Sequence, residues 1–137
     1  MGNPIIIIDD DEDDLEVIQQ TIIDLKYNNE VITFNDPYKF LDFIRTTDKR
    51  FAFILCDINM NTMDGLELKK ILHDDDALRM KCVPFLFWST SRATPTIKEA
   101  YSYNVQGYFV KPSTVQEIKE VISSIIKYWN YSENPNS

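Results

Sequence analysis

A run of acidic residues, Asp9-Asp10-Asp11-Glu12-Asp13-Asp14, follows directly on four isoleucines, Ile5 to Ile8. Asp57 and Asn59 follow a second apolar stretch that ends at Cys56. Ser89-Thr90-Ser91 come after the apolar stretch ending at Trp88, and Lys111-Pro112 after the one ending at Val110. Carboxylates gathered in one place repel each other, so a fold that keeps them together needs a cation. Mg²⁺ suits a site with about two carboxylates, a backbone carbonyl, waters and a phosphate oxygen. A carboxylate can itself be the nucleophile that takes a phosphoryl group. Such a transfer needs positive charge and hydrogen bonds on the phosphoryl oxygens, which a metal, an ammonium and a hydroxyl supply.

These groups act together only if the chain brings the ends of the apolar stretches to one place. The stretches are Ile5–Ile8, Val31–Phe34, Phe51–Cys56, Phe85–Trp88 and Gly107–Val110. Short continuous apolar runs of this kind predict strands buried on both faces, as in a parallel sheet. Helical spacing lies between them: Leu15, Ile18, Ile22 and Leu25; Phe40, Phe43 and Ile44; Leu66, Leu68, Ile71 and Leu72. A more polar helix is expected over Thr96–Tyr103. The last carries Val115, Ile118, Val121, Ile122, Ile125 and Trp129 on one face, with Thr114 as its cap. Asp36-Pro37 starts the second helix with a capping residue and a proline at the first position. The expected fold is α/β, a doubly wound (βα)₅ parallel sheet. In such sheets ligands bind beyond the carboxyl ends of the strands, where Asp9, Asp10, Asp57, Ser89 and Lys111 all fall.

The bulk numbers agree. A chain of 137 residues suits one domain with a core of its own. A net charge of −8 argues against nucleic acid and anionic membrane surfaces as partners. No apolar run is long enough to span a bilayer, and no secretory signal is visible, so a cytoplasmic protein is expected. Cys56 and Cys82 form no metal or redox pattern and read as small buried hydrophobes. Asp11, Glu12, Asp13 and Asp14 read as a solvated face that stabilises a helix N-terminus. His73 has no partner at ligand spacing and is expected to be exposed.

At this point the chain resembles the receiver domains of two-component response regulators, single-domain and CheY-like. The resemblance covers residues 4–129, with a flexible tail over 130–137. It is carried by Ile5-Ile6-Ile7-Ile8-Asp9-Asp10, by Asp57-Ile58-Asn59-Met60 with Met63-Asp64-Gly65, by Trp88-Ser89, and by Gly107-Tyr108-Phe109-Val110-Lys111-Pro112. It implies a flavodoxin-like five-stranded sheet in the order 2-1-3-4-5. It implies Asp57 as the phosphoacceptor and Asp10 as a direct Mg²⁺ ligand. Asp9 would act directly or through water, Asn59 through its backbone carbonyl, and Asp57 would itself be a ligand. Lys111 would bind the phosphoryl group, and its peptide bond to Pro112 would be cis. Ser89 stands at the position of the switch hydroxyl and Tyr108 at that of the aromatic switch. Asn61 replaces a common proline, Ser113 a common aromatic, and His73–Pro84 is longer than a minimal loop.

The resemblance implies no enzyme in the ordinary sense, but a switch that catalyses only its own phosphotransfer and dephosphorylation. The donor would be a histidine kinase or histidine phosphotransfer protein. With a tail too short to be an effector, the output would pass to another, unidentified protein. A homodimer through the fourth and fifth predicted helices stays open. A pseudo-receiver, binding protein without phosphotransfer, is the alternative; loss of an acidic ligand, of Asp57 or of Lys111 would favour it, and all are present. Asp57-x-Asn59-x-Asn61 also matches half of a calcium loop, but Thr62 stands where glycine is needed and Leu68 where the bidentate glutamate belongs. A dehalogenase-type phosphatase would need a second aspartate where Asn59 stands.

Overall fold

Four consecutive isoleucines make sense only in a strand with apolar layers on both sides, and β1 has them. The computed structural model describes residues 2–137. Its elements run β1 (Ile5–Ile8), α1 (Glu12–Asp24), β2 (Val31–Phe34), α2 (Pro37–Thr46), β3 (Phe53–Cys56), α3 (Gly65–Asp74), α4 (Asp76–Lys81), β4 (Phe85–Ser89), α5 (Thr94–Ser102), β5 (Gly107–Val110) and α6 (Val115–Tyr131). The five strands form one parallel sheet in the expected order β2-β1-β3-β4-β5.

Successive strand side chains point to opposite faces. Ile6, Ile8, Ile54, Cys56, Phe85 and Phe87 therefore join one core with α2, α3, α4 and α5. Ile5, Ile7, Phe53, Leu55, Leu86 and Trp88 join the other with α1 and α6. Every residue of β1, β3 and β4 is buried, whereas β2 is half-buried throughout because it lies at a sheet edge.

Two features differ from expectation. Among the described residues there are six helices, not five, because the long segment after α3 forms the short α4. Asp75 caps it by accepting from the backbone N–H groups of Ala77 and Leu78, and Leu78 is its buried anchor. His73 is half-buried beside Tyr103, its Nδ1 buried without a partner. In the tail, α6 runs to Tyr131, and the Asn136 amide donates to the carbonyls of Met80 (2.9 Å), Lys81 (3.3 Å) and Val83 (2.9 Å). The end of α4 leaves unpaired carbonyls, and the tail satisfies them.

Candidate functional site

Strand register decides which groups meet. Ile8 is level with Cys56, so the next residues, Asp9 and Asp57, leave the sheet side by side. Ser89 is level with Val110, so Lys111 emerges beside the end of β4. Carboxylate oxygens of Asp9, Asp10 and Asp57 lie within 4.8 Å of one another. Asp9 is 1% exposed and Asp57 7%; Asp10 is half-buried.

Each carboxylate is held by the backbone. Asp9 accepts from the Asp11 N–H at 3.0 Å and Asp57 from that of Ile58 at 2.8 Å. Asp10 accepts from the Asn61 N–H at 2.9 Å, which ties the β1–α1 loop to the β3–α3 loop. Gly65 opens α3 so close to this loop that a Cβ there would meet the Asp57 carbonyl and, at 2.9 Å, the Phe87 ring. Only glycine fits.

Lys111 reaches into the cluster with its ammonium 3.3 Å from Asp9 and 3.3 Å from Asp57. A third carboxylate stands closer, Asp14 at 3.0 Å. Asp14 is thus more than the solvated residue expected: its partly exposed carboxylate pairs with Lys111. A signal is nevertheless present in the sequence: Asp14 lies four residues before Ile18 and seven before Thr21, both buried, so it continues the inward stripe of α1.

Burial raises the Asp9 carboxyl to about 6, with the Asp57 charge adding to it while the Asp11 N–H and Lys111 oppose. Burial also raises Asp57, against the pull of Lys111. Burial works against the Lys111 charge too, but the hydrogen bond to Asp14 and the charges of Asp57 and Asp9 outweigh it, and its pKa rises. Crowding of like charges alone predicts such raised carboxylates; here desolvation comes first and repulsion second. The donor set is all oxygen, anionic beyond what one ammonium neutralises, and pre-gathered. That chemistry fits a hard divalent cation such as Mg²⁺.

Ser89 is fully buried at the end of β4, and its hydroxyl accepts from the Ser91 N–H at 3.2 Å. Tyr108 is half-buried on β5; its hydroxyl donates to the Ser91 carbonyl at 2.8 Å and its ring lies 6.2 Å from that of Phe87. The two expected switch residues thus hold the same loop residue. Asn59 is exposed in the turn after Asp57. Cys56 and Cys82 are free and buried, and burial pushes both thiols up, Cys82 to about 12. The expected cis bond before Pro112 is not found: the cis peptide among the described residues is Val83–Pro84. The trans form at Lys111–Pro112 is the lower-energy isomer of an X–Pro bond.

Comparison with known proteins places this geometry. Residues 5–123 match the response regulator receiver domain. The chain is 31% identical over 123 residues to chemotaxis protein CheY-3 of Vibrio cholerae, covering 90% of this chain and 91% of the relative. It is 31% identical over 126 residues to chemotaxis protein CheY of Pseudomonas aeruginosa, covering 92% and 98%. Longer relatives also match: the chain is 23% identical to the two-component response regulator ORR21 of Oryza sativa and spans only 18% of its length, 98% of the chain being covered. Among solved structures, the phosphorylated cyanobacterial phytochrome response regulator RcpA superposes with a TM-score of 0.87 at 23% identity, covering 98% of this chain and 99% of that one. With the family model spanning nearly the whole chain and the acidic cluster at the matching strand ends, the chain belongs to the response regulator receiver domains of two-component systems.

Proposed function

We propose that the chain is a phosphorylation switch in which Asp57 accepts a phosphoryl group from a histidine kinase or histidine phosphotransfer protein. A carboxylate oxygen of Asp57 forms the new O–P bond as the N–P bond of the donor phosphohistidine breaks, and the released imidazole takes a proton. Asp9, Asp10, Asp57 and the Asn59 backbone carbonyl would hold Mg²⁺, which supplies positive charge to the phosphoryl oxygens. Lys111 adds its ammonium, and the Ser89 hydroxyl turns to hydrogen-bond the group once it is attached. Hydrolysis of the acyl phosphate at the same site resets the switch. The output is phosphorylation-dependent binding to another protein, through the face of α5, β5 and α6, where a second copy could also dock. No helix among the described residues is long and apolar enough to cross a membrane, and the acidic surface suits cationic protein patches rather than nucleic acid.

The single observation that supports the reading best is the position of Asp57: buried, one of three clustered carboxylates, and 3.3 Å from the Lys111 ammonium. Incubation with acetyl phosphate and Mg²⁺ should add the mass of one phosphoryl group. Asp57→Asn should abolish the shift, and excess chelator should suppress it at least tenfold. A shift that survives in Asp57→Asn would sink the assignment. No shift in the wild type would leave a protein-binding module of the same fold.

A further inference from the structure

Lys111 has three N–H donors and, in this structure, three carboxylate partners. Two of the three, Asp9 and Asp57, belong to the cluster whose oxygens lie within 4.8 Å of one another and could hold a cation. Asp14 does not belong to that cluster, yet its Oδ2 is nearer to the ammonium than either, at 3.0 Å against 3.3 Å. Nor is Asp14 needed to cap α1, because Asp11 already accepts from the N–H groups of Asp13 and Asp14. Its carboxylate instead crosses 97 positions of sequence to the β5–α6 connection.

The consequence follows from what the other two carboxylates must do. When a cation enters the cluster, oxygens of Asp9 and Asp57 turn toward it. When Asp57 takes a phosphoryl group, its carboxylate becomes an acyl phosphate, and the negative charge moves out to the phosphoryl oxygens. Both events weaken the hold of those two side chains on Lys111. Asp14 alone keeps an unshared negative charge on the ammonium throughout. A lysine is a flexible point charge on a four-carbon stem, so an anchor decides where its charge sits.

Resting on Asp57 as the phosphoacceptor, we infer that Asp14 is a positioning residue that fixes the Lys111 ammonium over the phosphoryl position before, during and after transfer. It also pins the N-terminal turn of α1 to the segment after β5. The side chain is 43% exposed, so the anchor is open to solvent and to a docking partner.

The test is a cycle of Asp14→Ala and Lys111→Ala, alone and together, with Asp14→Asn as the variant that keeps an acceptor but drops the charge. Phosphorylation by acetyl phosphate at saturating Mg²⁺ should slow roughly tenfold in Asp14→Ala, with Asp14→Asn between it and the wild type and the Mg²⁺ affinity changed less than twofold. In the Lys111→Ala background Asp14→Ala should have no further effect. An independent reading is competitive acetylation of amines followed by peptide mass analysis. Lys111 should label several-fold faster in Asp14→Ala, with exposed Lys70 and Lys127 unchanged. Equal slowing by Asp14→Ala with and without Lys111, or unchanged Lys111 labelling, overturns the inference. If the wild type takes no phosphoryl group, the phosphoacceptor reading fails, and the labelling arm still decides whether Asp14 holds the lysine.

Discussion

Asp9 is the residue on which the site weighs most heavily against the fold. Its carboxyl is almost fully buried and titrates at about 6, above the ordinary 3.8, because burial disfavours its charged form and Asp57 adds to the effect. Between those two values the folded protein holds more protons than the unfolded one, so stability falls as pH rises through that window. The cost is complete above about pH 6. A carboxyl displaced this far costs the folded state roughly 3 kcal/mol once ionised, since each tenfold change in proton affinity is worth about 1.4 kcal/mol. Metal-free protein should therefore become more stable when acidified from pH 7 toward 5. Asp9→Asn should be more stable than wild type at pH 7 by about 1–3 kcal/mol, and its profile over that range should be flatter, with burial of Asp57 keeping a residual slope. Denaturant melts in chelator at several pH values measure this. Equal stability at pH 7, or a wild-type profile that falls on mild acidification, would overturn the account. A bound divalent cation should shrink the difference, because it stabilises only the native state that carries the charged cluster.

At the scale of elements, α3 is the least expected piece of packing. Its buried face carries Leu68 and Leu72, but also Lys69, which is only 2% exposed. The Lys69 ammonium sits 5.6 Å from the centre of the Phe85 ring and has no ion-pair partner among the described residues. Burial lowers its pKa from 10.5, so the folded state binds its proton less well than the unfolded state does. The cost is full at neutral pH and is relieved as pH rises toward the ordinary lysine value. Lys69→Leu should raise stability at pH 7 by about 1–3 kcal/mol, with the gain shrinking as pH rises toward the ordinary lysine value of 10.5. A loss of stability at pH 7 would show that the aliphatic stem and the ring contact outweigh the buried charge. Lys69 also shows where sequence reading ends. Ile5–Ile8, Val31–Phe34 and Gly107–Val110 were legible to the residue because each is a continuous apolar run between polar turns. A lysine inside a helical stripe reads as surface unless its neighbours in space are known. α4 was hidden for a related reason: six residues with one buried side chain show no period. In the site, Asp9, Asp10, Asp57 and Lys111 were legible because they end strands, whereas Asp14 was masked by the acidic run around it.

The whole molecule divides at the sheet. α1 and α6 share one core, while α2 to α5 share the other. The acidic cluster lies where the two layers meet, at the carboxyl ends of β1 and β3. A local charge event there reaches the outer surface only through something with two arrangements. The β4–α5 loop bridges the end of β4 and β5. Ser91 gives its N–H to the Ser89 hydroxyl and receives the Tyr108 hydroxyl on its carbonyl. α5 then starts at Thr94 with no side-chain cap on its first turn, and within the loop the Ser91 hydroxyl accepts from the Ala93 N–H at 3.3 Å. If Ser89 turns to a phosphoryl group on Asp57, Ser91 loses its acceptor, and the anchor of Tyr108 loosens with it. Phosphorylation should therefore speed amide exchange in residues 90–94 and alter it in β5 and the start of α6. Exchange in α1 and α2, which take no part in this link, should stay as it was. Tyr108→Phe removes one of the two bonds and should reproduce part of the faster loop exchange without phosphorylation, leaving the rate of Asp57 labelling within about twofold. Exchange changes confined to α2 and α3, or a Tyr108→Phe protein whose loop exchanges as in the wild type, would show that the signal leaves the sheet by another face.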